Sequence, residues 1–171
     1  KYDGNGNILS MTQRGLKGGV TQIVDSLKYG YTPQSNLLSY VTDKKNDAQS
    51  TLGDFKEVVN NETQDYWYDA NGNLTKDLNK NIAEITYNYL NQPEQITVTG
   101  KGTIRYFYDA EGYKLKKVVQ ENGQPERVYH YLNGVVYLND SLQFAVHEKG
   151  RIRAIYKAGE PIDYAYDYFI Q

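Results

Sequence analysis

The sequence has no cysteine. A disulfide framework and a thiolate zinc site are therefore excluded. Tryptophan and methionine occur once each, and phenylalanine and proline four times each, in 171 residues. No apolar run approaches the roughly 20 residues of a membrane-crossing helix. An excess of one charge is also missing: 19 Lys and Arg stand against 21 Asp and Glu, for a net charge of −2. A nucleic-acid binder normally carries a basic stripe, so this balance argues against nucleic acid as a partner. The chain opens on Lys1-Tyr2-Asp3-Gly4, with neither an initiating Met nor a signal-peptide pattern. The expectation is a segment of a longer protein.

Tyrosine is abundant, with 18 residues, and glycine follows with 15. Aromatic residues favour pleated, half-buried surfaces, and glycine and asparagine tolerate the positive φ of tight turns. The tyrosines are spaced. Tyr-x-Tyr recurs as Tyr29-Gly30-Tyr31, Tyr66-Trp67-Tyr68, Tyr87-Asn88-Tyr89, Tyr106-Phe107-Tyr108, Tyr129-His130-Tyr131 and Tyr164-Ala165-Tyr166. From Tyr68 to Tyr131 the second tyrosines of successive pairs lie 21, 19 and 23 residues apart. That period suits one strand–turn–strand unit and is too short for a helical repeat. Side chains alternate along a strand, so Tyr-x-Tyr places both rings on one face. Ile104, Tyr106 and Tyr108 should share a face, and so should Ile85, Tyr87 and Tyr89. Cross-strand aromatic pairs of this kind fix strand register.

The turn after the pair is as regular. Tyr2-Asp3-Gly4-Asn5-Gly6, Tyr68-Asp69-Ala70-Asn71-Gly72 and Tyr108-Asp109-Ala110-Glu111-Gly112 share Tyr-Asp-x-x-Gly. Asp at the first turn position accepts a bond from the backbone two residues on, and Gly at the fourth takes positive φ. The sequence thus predicts an all-β fold of about fourteen strands, a curved antiparallel sheet of Tyr-rich hairpins. Two stretches, 10–27 and 42–65, are polar and lack alternation. They read as loop insertions, with a helical turn expected near 54–60.

Tyr-x-Tyr-Asp-x-x-Gly-x-x-Leu resembles the YD repeat of bacterial Rhs proteins, which also occurs in the B and C components of insecticidal toxin complexes and in animal teneurins. The best copy runs from Gly102 to Leu115; Tyr66–Leu74 is close, and Tyr2–Ile8 is truncated. The copy at Tyr87–Ile96 departs, with Leu90 at the Asp position and Gln92 at the Gly position, so its turn should use Asn91 and Pro93. The segment Asp163–Gln171 resembles the strand leading into the Asp-His-x-Gly segment of Rhs cores. The resemblance covers nearly the whole chain as one segment, 1–171. It implies hairpin units that spiral into a shell around a C-terminal toxin or effector domain, in a secreted or cell-surface protein. Its partners would be the rest of that shell and the enclosed toxin, without membrane insertion. Open edge strands suggest self-association of the segment. The family's autoproteolytic aspartates would lie beyond Gln171, so no catalytic residue transfers here. The residues implied are architectural: Tyr2, Asp3, Gly6, Tyr66, Tyr68, Asp69, Gly72, Tyr87, Tyr89, Tyr106, Tyr108, Asp109 and Gly112.

Reactive chemistry has little to draw on. Asp69-Ala70-Asn71-Gly72-Asn73 and Asp3-Gly4-Asn5-Gly6-Asn7 imitate the start of a calcium loop. The sixth position, however, is Leu74 or Ile8, and the twelfth is Lys80 or Arg14 where a bidentate Glu is needed. His130 and His147 are the only histidines, 17 residues apart. No nucleophile elbow or phosphate-cradling loop is present. No cofactor, metal or enzymatic activity is expected. Lys114, Lys116, Lys117 and Arg127 read as a solvated face or edge protection, with a cradle for an anionic partner as the sharper reading. The many tyrosines leave a surface carbohydrate-binding or adhesive module as the alternative function.

Overall fold

The computed structural model describes residues 1–45, 55–57 and 63–169. Among them are fourteen antiparallel strands in two sheets and no helix. The hairpin reading of the composition is thus the architecture found. Contacts divide the chain into two compact units, Lys1–Ile85 and Thr86–Gln171, at a point where the repeat gives no sign of a boundary.

The first unit contains β1 (Ser10–Lys17), β2 (Val20–Tyr31), β3 (Leu38–Asp43), β4 (Tyr66–Tyr68) and β5 (Leu74–Asp77), and most of β6 (Ile82–Tyr87). β1, β2 and β3 form a three-stranded sheet in chain order. Residues 10–27, expected as a loop insertion, are therefore two strands and their hairpin. β1 pairs with β2 from Lys17↔Val20 to Ser10↔Lys28, with a register shift at Gln13/Arg14. Seven of the eight β1 residues are exposed. A strand wetted on both faces needs no apolar alternation, which is why periodicity missed it. The hairpin itself closes on Gly18 and Gly19, both at positive φ, 60° and 79°. Two successive positive φ values make the two-residue reversal that matches strand twist.

The second insertion, 42–65, is also not a loop at its ends. Thr42 and Asp43 complete β3. Asp65 lies along β3: its N–H donates to the Ser39 carbonyl at 2.7 Å and its Oδ2 accepts from the Val41 N–H at 3.0 Å. Phe55, Lys56 and Glu57 carry no helix, and the rest of the helical turn expected over 54–60 lies outside the described residues.

The second unit takes up β7 (Pro93–Val98), β8 (Gly102–Tyr108), β9 (Lys114–Glu121), β10 (Arg127–Leu132), β11 (Val135–Leu138), β12 (Ser141–His147), β13 (Gly150–Ile155) and β14 (Asp163–Tyr168). Each of these pairs antiparallel with the next in the chain. Arg151 and Arg153 of β13 both bond the Asp167 carboxylate of β14. The Arg153 and Arg151 bonds hold that carboxyl well below the usual carboxylate range.

Five apolar side chains are buried among the described residues: Val24, Leu27, Val41, Ile85 and Val118. The first unit also buries acids, namely Asp25, Asp43, Glu57, Asp65 and Asp77. A buried carboxylate without donors costs several kcal/mol. Backbone N–H groups supply the donors here. Asp43 Oδ1 accepts from Ser26 and Lys45 at 2.8 and 2.9 Å, Asp25 Oδ1 from Phe55 at 2.8 Å, and Glu57 Oε2 from Asp43 at 2.7 Å. These acids therefore fasten backbone N–H groups of β2, of β3 and of the chain beside them.

Candidate functional site

The repeated turn is built from its first residue. At Asp69 the side-chain Oδ1 accepts from the N–H groups of Asn71 and Asn73, both at 2.9 Å, while Oδ2 accepts from Asn73 Nδ2 at 3.0 Å. The Asp69 N–H donates to the Asn73 carbonyl, and the Gly72 N–H to the Asp69 carbonyl. Asp3 repeats this with Asn5, Asn7 and Gly6. Asp109 repeats the backbone part with Glu111, Tyr113 and Gly112. The closing glycines Gly6, Gly72 and Gly112 sit at φ 86°, 84° and 88°. The Asn7 and Asn73 side chains, with the turn N–H groups, pull the Asp3 and Asp69 carboxyls below their ordinary pKa. A carboxylate whose oxygens already face three donors is a turn cap, and it has little left for a cation or a proton shuttle.

The departing copy uses the same turn, two residues earlier than the tyrosine spacing suggested. Asn88 takes the Asp position: its Oδ1 accepts from Leu90 N–H at 2.9 Å and Gln92 N–H at 3.0 Å. Asn91 takes the Gly position at φ 57°. Tyr87, the last residue of β6, is thus the counterpart of Tyr68 and Tyr108. Tyr89 sits in the turn, 77% exposed, and does not continue the face of Ile85 and Tyr87. The carbonyl half of an amide can replace a carboxylate because the turn asks only for an acceptor. Asn also tolerates left-handed backbone. Pro93, expected in this turn, instead begins β7.

The tyrosine before the turn has a role that face alternation did not show. The Tyr68 hydroxyl donates to the Leu38 carbonyl at 2.9 Å, Tyr108 to Pro93 at 3.0 Å, and Tyr31 to Ile8 at 2.8 Å. Each hydroxyl is a latch onto backbone far along the chain. Register shifts at Trp67/Tyr68, Phe107/Tyr108 and Gly30/Tyr31 accompany the three latches. Tyr2 differs: it is 66% exposed and, among the described residues, makes only an isolated bridge to Ile8. Tyr106 and Tyr108 do share a face, with ring centroids 6.4 Å apart. Tyr66 is half-buried, and its burial raises its phenol to a pKa of about 12.

Neighbouring turns touch within each unit. Asn36 Oδ1 accepts from Asn7 Nδ2 at 2.8 Å and Asn5 Nδ2 at 3.3 Å. Gln92 Nε2 donates to the Gly112 carbonyl at 2.9 Å, and the Tyr89 hydroxyl to Ala110 at 3.2 Å. The sequence-predicted residues thus meet as turn against turn, and each Asp is consumed inside its own turn.

A concavity of about 530 Å³ lies in the first unit against Leu38, Tyr66, Tyr68, Leu74 and Asn79. Of its polar groups, Tyr68 is bonded to Leu38, Asn79 to Asp65 and Tyr66, and Asp77 to the Lys80 N–H; Lys56 and Lys80 also line it. Of the two histidines, His130 lies opposite Lys116 and Tyr137, and His147 turns its ring edge-on to Tyr168. Among the described residues no three acids or histidines gather as metal ligands.

Compared with known proteins, the chain matches no family model and no curated sequence.

Proposed function

We propose that the chain is a structural β-scaffold, a segment of an Rhs-type shell around a C-terminal toxin or effector domain. One observation carries the reading. The same acceptor-capped turn is built four times, at Asp3, Asp69, Asn88 and Asp109, even where the sequence has lost both Asp and Gly. Selection for a reactive carboxylate would not tolerate Asn88; selection for a turn does. The hydroxyl latches of Tyr31, Tyr68 and Tyr108 add rigidity of the kind a container wall needs. The parent gene beyond codon 171 tests the reading. Further Tyr-Asp-x-x-Gly units followed by a separate domain, which limited proteolysis of the whole protein leaves uncut inside its shell, are the expected result. A parent with no such domain, or one digested as fast as the free domain, overturns the proposal.

A further inference from the structure

Independently of the shell reading, we infer that the face of β8, β9 and β10 bearing Lys114 and Lys117 binds an acidic oligosaccharide, a chain of carboxylated sugars. Strand register defines that face. Lys117 lies opposite Tyr106 on one side and Tyr129 on the other, and Tyr108 lies opposite Lys114. Directly opposed residues point the same way, so Tyr106, Tyr108 and Tyr129 share one surface with the two lysines, and Tyr131, two residues on from Tyr129, joins them. The Lys114 ammonium stands 4.6 Å from the Tyr131 ring centre and 5.6 Å from that of Tyr106. The Lys117 ammonium stands 4.0 Å from the Tyr129 ring centre.

Neither lysine has a carboxylate at ion-pair distance among the described residues; the neighbouring Arg127 is already held by Glu121 at 2.6 Å. Burial, then the nearby Lys114 and Arg127, lower the Lys117 pKa, so positive charge is crowded here. An anion relieves that crowding. Of the acids nearby, Glu121 is held by Arg127, and Asp109, which lines the concavity beside Lys114, accepts from its own turn N–H groups; Glu94 lies on the far side of Tyr106 and Tyr108.

Beside Lys114 a concavity of about 460 Å³ is lined by Tyr113, Leu115, Tyr131 and Asn133. Tyr113 is 68% exposed. Aromatic faces suit the C–H faces of pyranose rings, Asn133 offers an amide to hydroxyls, and Lys114 offers a charge to a carboxylate. Tyr129 and Tyr131 are two residues apart on β10, about 7 Å. Two cation–aromatic couples at that spacing favour a chain of sugars over a single one. An extended peptide is disfavoured because β9 and β10 are paired on both edges and leave it no ladder.

Titration calorimetry of the whole chain with trigalacturonate tests the site. Binding should weaken with salt. It should fall about tenfold or more in Lys114→Gln and in Tyr113→Ala, and for the fully methyl-esterified trisaccharide. Tyr113→Ala decides the matter if Lys114→Gln fails to fold, since Tyr113 stands in an exposed turn. Absence of binding at millimolar trigalacturonate, binding untouched by either variant, or tighter binding of a polyglutamate peptide overturns the inference.

Discussion

Removing a single oxygen atom from Tyr108 tests the latch directly. In Tyr108→Phe the ring, its stacking on Tyr106 and the strand pairing of β8 all persist, and only the 3.0 Å bond to the Pro93 carbonyl is lost. That bond is part-buried. A neutral hydrogen bond contributes about 0.5–1.5 kcal/mol net, and a carbonyl left dry costs toward the upper end. The expected loss is thus about 1 kcal/mol. For a chain of this size that is a fall of about 2–4 °C in Tm. Tyr68→Phe, which frees the Leu38 carbonyl, should cost a similar amount. Tyr2→Phe is the internal control: its hydroxyl has no partner among the described residues and its ring is exposed, so Tm should not move. Calorimetric melting of the three variants, with urea midpoints as a second probe, gives the comparison. If Tyr108→Phe melts with the parent, or if Tyr2→Phe falls as far, the latch contributes nothing and the argument for rigid turns fails.

Gly112→Val should destabilise by about 1 kcal/mol or more, because a β-branched residue is strained at φ 88° and a Cβ there would press on the Gln92 amide and Leu90; an unchanged urea midpoint would refute that turn. Asn91→Gly, at φ 57°, should by the same logic hold or raise stability. Acid titration followed by circular dichroism should show stability falling as the pH drops below the ordinary carboxylate value of 3.8, since Asp3, Asp69 and Asp167 have lowered pKa values when folded. Their contribution is complete above that value and is lost as each protonates in the fold; in Asp69→Asn the acid limb should shrink. Tyr66 has the opposite sign: its folded pKa of about 12 stands above the usual 10, so its contribution is present below pH 10 and disappears toward pH 12. Ultraviolet titration should show several tyrosines ionising above the ordinary value, Tyr29, Tyr31, Tyr68, Tyr108 and Tyr131 among them, with Tyr66 in the latest part of the curve, and Tyr66→Phe should reduce that latest part.

What the sequence made legible was local. Asp3, Asp69 and Asp109 carry the acceptor, and Gly6, Gly72 and Gly112 the left-handed backbone, within a five-residue window. The turn at Asn88 escaped because the tyrosine pair served as the frame of reference. The structural frame is one tyrosine followed by any side-chain acceptor, so Tyr87 counts and Tyr89 does not. β1 escaped for want of a dry face, and β2 because its first four residues are exposed and Val24 and Asp25 are buried side by side without alternation, although Gly18-Gly19 between the strands was the available signal. The buried acids left no trace at all. Asp25, Asp43 and Asp65 look like solvated residues in a polar stretch, and only distant backbone donors such as Phe55, Ser26 and Val41 make them interior. Hydroxyl latches share that difficulty, since Tyr68 and Leu38 are 30 residues apart.

The self-sufficiency of the turns has a consequence for how such a chain changes length. Because Asp69 satisfies its own bend within four residues, and each strand from β7 to β13 pairs with its immediate successor, a hairpin removed or duplicated carries its turn with it and has to remake the pairing and the few tyrosine and glutamine bonds to its neighbours. Size can then change by duplication of hairpins, while the buried Asp25, Asp43, Glu57 and Asp65 of the first unit, bound to backbone elsewhere in the chain, mark the part that cannot be copied piecemeal.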